Sequence, residues 1–215
     1  AADVTEIRVS VPPDLRMTYA ISEPRQKYRV AAENPVKFEV LDQLLAKHPH
    51  DQTLIIGMYL DQLDQAKERY GYPLITGKTT VRERRKLFQQ FKDREVQRLI
   101  ISKVGNFAID LPDASVMIQI SGTWGSRQEE AQRLGRILRP KQNGLLAHFY
   151  TLVSRDTDDQ TFGANRQLFL TEQGYRYTIL HDGEVAAFEP ATLTGESRAT
   201  SRGARDGSAP AALTG

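Results

Sequence analysis

The 215-residue sequence has no cysteine, which excludes disulfides, thiolate-held zinc or iron-sulfur centres and any thiol nucleophile. Long apolar runs are also missing. None approaches the roughly 20 residues that span a bilayer, and the opening AADVTEIRVS has neither the basic nor the apolar region of a signal peptide. Neither sign of charge dominates, because 29 Lys and Arg stand against 27 Asp and Glu for a net charge of +2. What is present, 40% apolar and 26% charged residues, is the composition of a globular chain. A chain of this size can bury about 70% of its unfolded surface without covalent staples. Its expected place is therefore the cytoplasm. The first residue is Ala1 rather than Met, as in a piece cut from a longer chain.

The near-neutral total conceals a basic stretch. Residues 67–103 hold 11 Lys and Arg against 4 Asp and Glu, which suits an anionic partner or a solvated helix face.

From Asn34 onward, helical periodicity alternates with short apolar runs, the pattern of a parallel sheet covered by helices. Asn34 and Pro35 can open a helix with Phe38, Leu41, Leu44 and Leu45 on its apolar face. TLIIGMY reads as a buried strand, LDQLDQAKERY as a helix stopped by Gly71, and Leu74 to Thr76 as a second strand. Thr80 and Glu83 form a capping box for VRERRKLFQQF, with Val81, Leu87, Phe88 and Phe91 turned inward. RLIIS and SVMIQI are strands. Ser126 and Glu129 open a helix that runs to Arg139, residues 145–153 return to strand, 160–173 to helix, and YRYTIL is the last strand. The expected fold is a single α/β domain with five to seven strands, residues 31–185. Residues 1–30 are expected as a lead-in packed on it, since Pro12, Pro13 and Pro24 oppose long elements. The Ala-, Gly-, Ser- and Thr-rich residues 186–215 are expected as a flexible tail.

Several motifs carry chemistry. ITGKTT has the lysine of a phosphate-binding loop, but the first glycine of that loop would fall at Tyr72, so a stand-alone phosphotransferase built on Lys78 is disfavoured. Contact of Lys78 with a nucleic-acid phosphate suits it better. In SRQEEAQRLGRILRP a helical wheel gathers Gln132, Arg136 and Arg139 on one face, with Leu134, Ile137 and Leu138 opposite. Guanidinium forks on one face suit an anion that gains charge in a transition state. Gly105, Asp110 and Pro112 follow a strand, where open α/β sheets bind ligands. The four histidines lack metal-ligand spacing. Asp156, Asp158 and Asp159 suit a helix start better than a Mg²⁺ site.

Together these segments resemble the second RecA-like domain of superfamily 2 helicases, specifically the XPB family of DNA repair helicases. TLIIGMYLDQLDQA is similar to motif IV, ITGKTTVRERRKLFQQF to the block after it, SKVGNFAIDLPDASVMIQIS to motif V and QRLGRILR to motif VI. SRDTDDQTFGANRQLFLTEQGY resembles the ending peculiar to XPB, so the likeness runs from about Tyr28 to Leu180. It implies a single RecA-like domain, mostly parallel sheet with helices on both faces, and ATP-driven 3'-to-5' translocation on DNA. By the same resemblance Arg136 and Arg139 would be arginine fingers, and Gly105, Asp110, Gln132 and Arg133 would belong to the nucleotide site, Gln132 and Arg133 orienting motif VI or contacting neighbouring groups and Gly105 and Asp110 lining the ATP or inter-domain side of motif V. Thr79, Ser102, Lys103 and Lys78 would contact the DNA backbone. Asn106 stands where XPB relatives commonly have Asp, and Ala108 where many superfamily members have Gly. No Walker A loop or DExH box occurs. ATP and Mg²⁺ would then be bound mainly by an N-terminal RecA-like domain of the same parent, and this chain alone would be inactive. The implied partners are that domain, single-stranded or forked DNA and a repair nuclease, with no membrane. The location would be nucleoid-associated in a prokaryote or nuclear in a eukaryote. The competing reading is a non-catalytic RecA-like module that docks nucleic acid or protein.

Overall fold

The computed structural model describes residues 2–102, 114–122 and 146–192. Seven strands are resolved in one sheet: β1 (Ala2–Val9), β2 (Thr53–Gly57), β3 (Leu74–Ile75), β4 (Arg98–Ser102), β5 (Val116–Gln119), β6 (Ala147–Ser154) and β7 (Arg176–His181). Their spatial order is β3-β4-β2-β5-β6-β1-β7, and every pairing is parallel. Among the described residues six α-helices accompany them: α1 (Pro13–Ile21), α2 (Pro24–Ala32), α3 (Val36–Lys47), α4 (Leu60–Tyr70), α5 (Val81–Lys92) and α6 (Asp158–Glu172). No helix among the described residues is long and apolar enough to cross a membrane.

Strand alternation divides the core into two layers. Ile55, Ile100, Ile118 and Leu152 meet Phe38, Leu41, Leu44, Leu63 and Ala66 of α3 and α4 on one face. Leu54, Ile56, Leu99, Ile101 and Phe149 meet Phe91 of α5 and Leu170 of α6 on the other. The expected arrangement of helices on both faces is thus observed. Asn34 accepts the Val36 amide at 3.1 Å, Thr80 and Glu83 form their capping box, and Gly71 stops α4 at φ 72. Left-handed backbone of that kind is easy only for glycine. The Ser126 to Arg139 helix lies outside the described residues.

The amino end corrects the sequence reading. Residues 2–9 are not a lead-in resting on the domain but an inner strand, parallel to both β6 and β7. Polar residues had disguised it: Glu6 is fully buried yet accepts hydrogen bonds from Arg8 at 3.1 Å and Tyr177 at 2.5 Å. Pro13 and Pro24 begin helices instead of preventing them, because the amide that proline lacks would be unpaired in a first turn anyway. Val81 also differs. At the first position of α5 it is 58% exposed, ahead of the turns that bury Phe91. Packing continues beyond residue 185, since Lys47 donates to the Ala186 carbonyl at 3.0 Å and Phe188 packs against the core.

Candidate functional site

A parallel sheet binds ligands where neighbouring strands send their connections in opposite directions. Here that place lies between β2 and β5. The chain leaves β2 toward β3 on one side and leaves β5 toward β6 on the other. The two exits are clamped together, for the Ile120 amide donates to the Ile56 carbonyl at 2.9 Å and the Met58 amide to Ser121 Oγ at 2.8 Å. Gly57 makes the close approach possible, since a Cβ there would stand 2.6 Å from Leu63 Cδ2.

Lys78, Thr79 and Ser102 lie along the same carboxyl edge. Ser102 ends β4 opposite Gly57 and is 1% exposed, while Lys78 and Thr79 follow β3. The turn after β3 closes on itself: the Thr76 amide donates to Thr79 Oγ1 at 2.9 Å, the Lys78 amide to Thr76 Oγ1 at 3.2 Å and the Thr79 amide to the Thr76 carbonyl at 3.1 Å. Those three amides are spent, so the turn does not fit a triphosphate cradle. Lys78 is exposed instead, as are Arg82, Arg85 and Lys86 on α5, and none of the four has an ion-pair partner among the described residues. One turn and one helix start therefore present a cationic surface suited to a phosphate backbone.

Lys103, Gly105, Asp110, Gln132, Arg133, Arg136 and Arg139 lie outside the described residues. In the sequence they fall between described strands. Lys103, Gly105 and Asp110 fall between β4 and β5, and Gln132 to Arg139 between β5 and β6.

A buried polar group behind the edge was not anticipated from sequence. Lys37, 1% exposed, donates to the Ile120 carbonyl at 2.8 Å and to Asp159 Oδ2 at 2.7 Å. Asp159 also accepts the Ser154 amide at 2.9 Å, and buried Arg166 donates to Thr151 at 2.8 Å. Burial draws the Lys37 pKa below the usual lysine value, with the Asp159 carboxylate opposing it. A signal existed: Lys37 precedes Leu41 and Leu44 by four and seven residues, so it occupies the apolar face of α3. Asp159 points inward to Lys37 while Asp156 and Asp158 are exposed. Among the described residues no group of three or more His, Cys, Asp or Glu could hold a metal ion.

Comparison with known proteins gives this arrangement a family. The chain is 51% identical over 184 residues to a protein of Kineococcus radiotolerans named DNA 3'-5' helicase XPB, covering 86% of this chain and 33% of that protein. It is 53% identical over 178 residues to the protein of the same name from Mycobacterium tuberculosis, covering 83% of this chain and 32% of that one. The chain therefore spans about a third of the length of these curated relatives. In fold it is similar to the C-terminal domain of the DEAD-box protein Dbp5, with a TM-score of 0.60 at 15% identity, over 87% of this chain and 98% of that one. The family model for the ERCC3/RAD25/XPB C-terminal helicase matches residues 1–199, and the chain belongs to that family.

Proposed function

We propose that this chain is the second motor half of an ATP-driven 3'-to-5' DNA helicase or translocase, completed by a RecA-like half elsewhere in its parent. The observation that carries the reading is the family match over residues 1–199.

In this reading Arg136 and Arg139 reach the γ-phosphate and offset the charge that develops as it is transferred. Gln132 and Arg133 orient the motif they share with the arginines or contact neighbouring groups, and Gly105 and Asp110 belong to the ATP or inter-domain side of motif V. Lys78, Thr79 and Lys103 contact the DNA backbone, which fits the exposed cations beside β3. The resemblance gives Ser102 the same contact, but at 1% exposure its side chain is enclosed at the end of β4, so the reading rests on the other three. In this reading ATP and Mg²⁺ are held mainly by the companion half, since the sequence of this chain carries no Walker A loop or DExH box.

The test is strand displacement by the full-length parent on duplexes with a 3' or a 5' single-stranded tail. ATP-dependent displacement from the 3'-tailed substrate alone is expected. DNA binding with no ATP hydrolysis on any substrate would favour a non-catalytic docking module.

A further inference from the structure

A lysine buried to 1% exposure gives up its hydration and returns it only through its bonds. Apolar residues of similar volume often replace a buried ion pair without loss of stability. Stability alone therefore does not account for a lysine on the apolar face of α3. What an apolar side chain cannot supply is a donor for the Ile120 carbonyl.

That carbonyl lies one residue beyond β5, where the sheet ladder ends. The chain then enters residues 123–145, which carry Gln132, Arg133, Arg136 and Arg139. The same helix start grips the neighbouring exits. Asn34 donates to the Ser10 carbonyl beyond β1 at 2.9 Å and to Ser154 Oγ at the end of β6 at 3.2 Å. Through Asp159, Lys37 also reaches the Ser154 amide and the first turn of α6. Lys37 thus sits where the exits of β1, β5 and β6 are bolted together.

We propose that Lys37 is a positioning residue for the arginine-bearing segment: its ammonium holds the Ile120 carbonyl and so fixes the direction in which the chain leaves β5. The inference rests on the role given above to Arg136 and Arg139. Displacements of about 1 Å far from the chemistry can lower rates by roughly 100-fold.

The experiment compares Lys37→Met with Lys37→Gln/Asp159→Asn. The second variant removes both charges but keeps a donor for Ile120 and an acceptor for Ser154. In the full-length parent, Lys37→Met should lower kcat for DNA-stimulated ATP hydrolysis by roughly 10- to 100-fold, with KM for ATP and DNA affinity within about twofold of wild type. The Gln/Asn pair should recover most of that loss. Lys37→Met/Asp159→Leu serves as a folding control, and kcat should stay low even where its Tm returns to the wild-type value. Recovery of kcat together with Tm would make Lys37 merely structural and overturn the proposal.

A second readout does not depend on catalysis. Trp124, the one tryptophan of the chain, lies four residues beyond Ile120. In this chain, Lys37→Met should shift Trp124 emission and change its quenching by acrylamide, and the Gln/Asn pair should reverse both. Unchanged Trp124 signals in a natively folded Lys37→Met chain overturn the positioning role. If Trp124 responds while the wild-type parent hydrolyses no ATP, the helicase reading falls and the positioning role stands.

Discussion

Gly57→Ala should strain the junction of β2, α4 and β5 in a way that a second substitution relieves. A Cβ at this position would meet Leu63 Cδ2 at 2.6 Å, and Ile120 Cγ1 and Ser121 Oγ at 3.2 Å each. The backbone is outside the left-handed region, so the strain is one of contact alone. Overpacking of this kind costs about 1–3 kcal/mol. Leu63→Ala by itself empties a fully buried site and costs about 2–5 kcal/mol. In the double variant the methyl group introduced at position 57 occupies part of the space that Leu63 vacates. It should then be no less stable than Leu63→Ala alone, a coupling of about 1–3 kcal/mol in the favourable direction. Urea unfolding of the four chains measures this directly, and thermal melts should show about 2–4 °C per kcal/mol. Strict additivity, or a neutral Gly57→Ala, would refute the close approach of α4 to the end of β2.

Three further outcomes follow from particular contacts. Val185 is fully buried in the core cluster of α3 and α4, so Val185→Ala should cost about 1.5–3 kcal/mol in a denaturant titration. Burial would raise the pKa of Asp182, but hydrogen bonds from the Ser10 hydroxyl and amide and from the Gly183 amide hold it below the usual carboxylate value. Its stabilising share is therefore present above about pH 4 and lost as pH falls through the lower folded value, and Asp182→Asn should flatten the acid limb of a stability profile. If Lys78 contacts a phosphate, Lys78→Ala should make the log K against log salt slope for single-stranded DNA shallower by about 0.7, read by titrating a labelled oligonucleotide at several salt concentrations.

Local rules were legible wherever side chain and backbone agreed. The Thr80 and Glu83 box, the Gly71 stop and the inward Phe38, Leu41, Leu44 and Leu45 all follow from spacing. β1 was hidden because ADVTEIRV does not read as a buried strand until Arg8 and Tyr177 are seen to satisfy Glu6 from within β1 and from β7. The prolines misled for a related reason: their effect depends on position in a helix, which sequence spacing had not fixed. At the site, Lys78 was legible as a surface cation, but the closure of its turn by Thr76 and Thr79 depends on hydroxyl geometry. Lys37 is hard to read as buried because a lysine on a helix usually faces water, although its place four and seven residues before Leu41 and Leu44 puts it on the apolar face.

The most direct test of the central claim is the DNA-stimulated ATPase rate of the full-length parent carrying Arg136→Ala or Arg139→Ala. Loss of an arginine finger lowers kcat by roughly 10³-fold or more, and that fall is expected here with native circular dichroism and DNA binding retained. An unchanged kcat, with DNA stimulation verified in the same preparation, would contradict the assignment of this chain as the half that supplies the arginines.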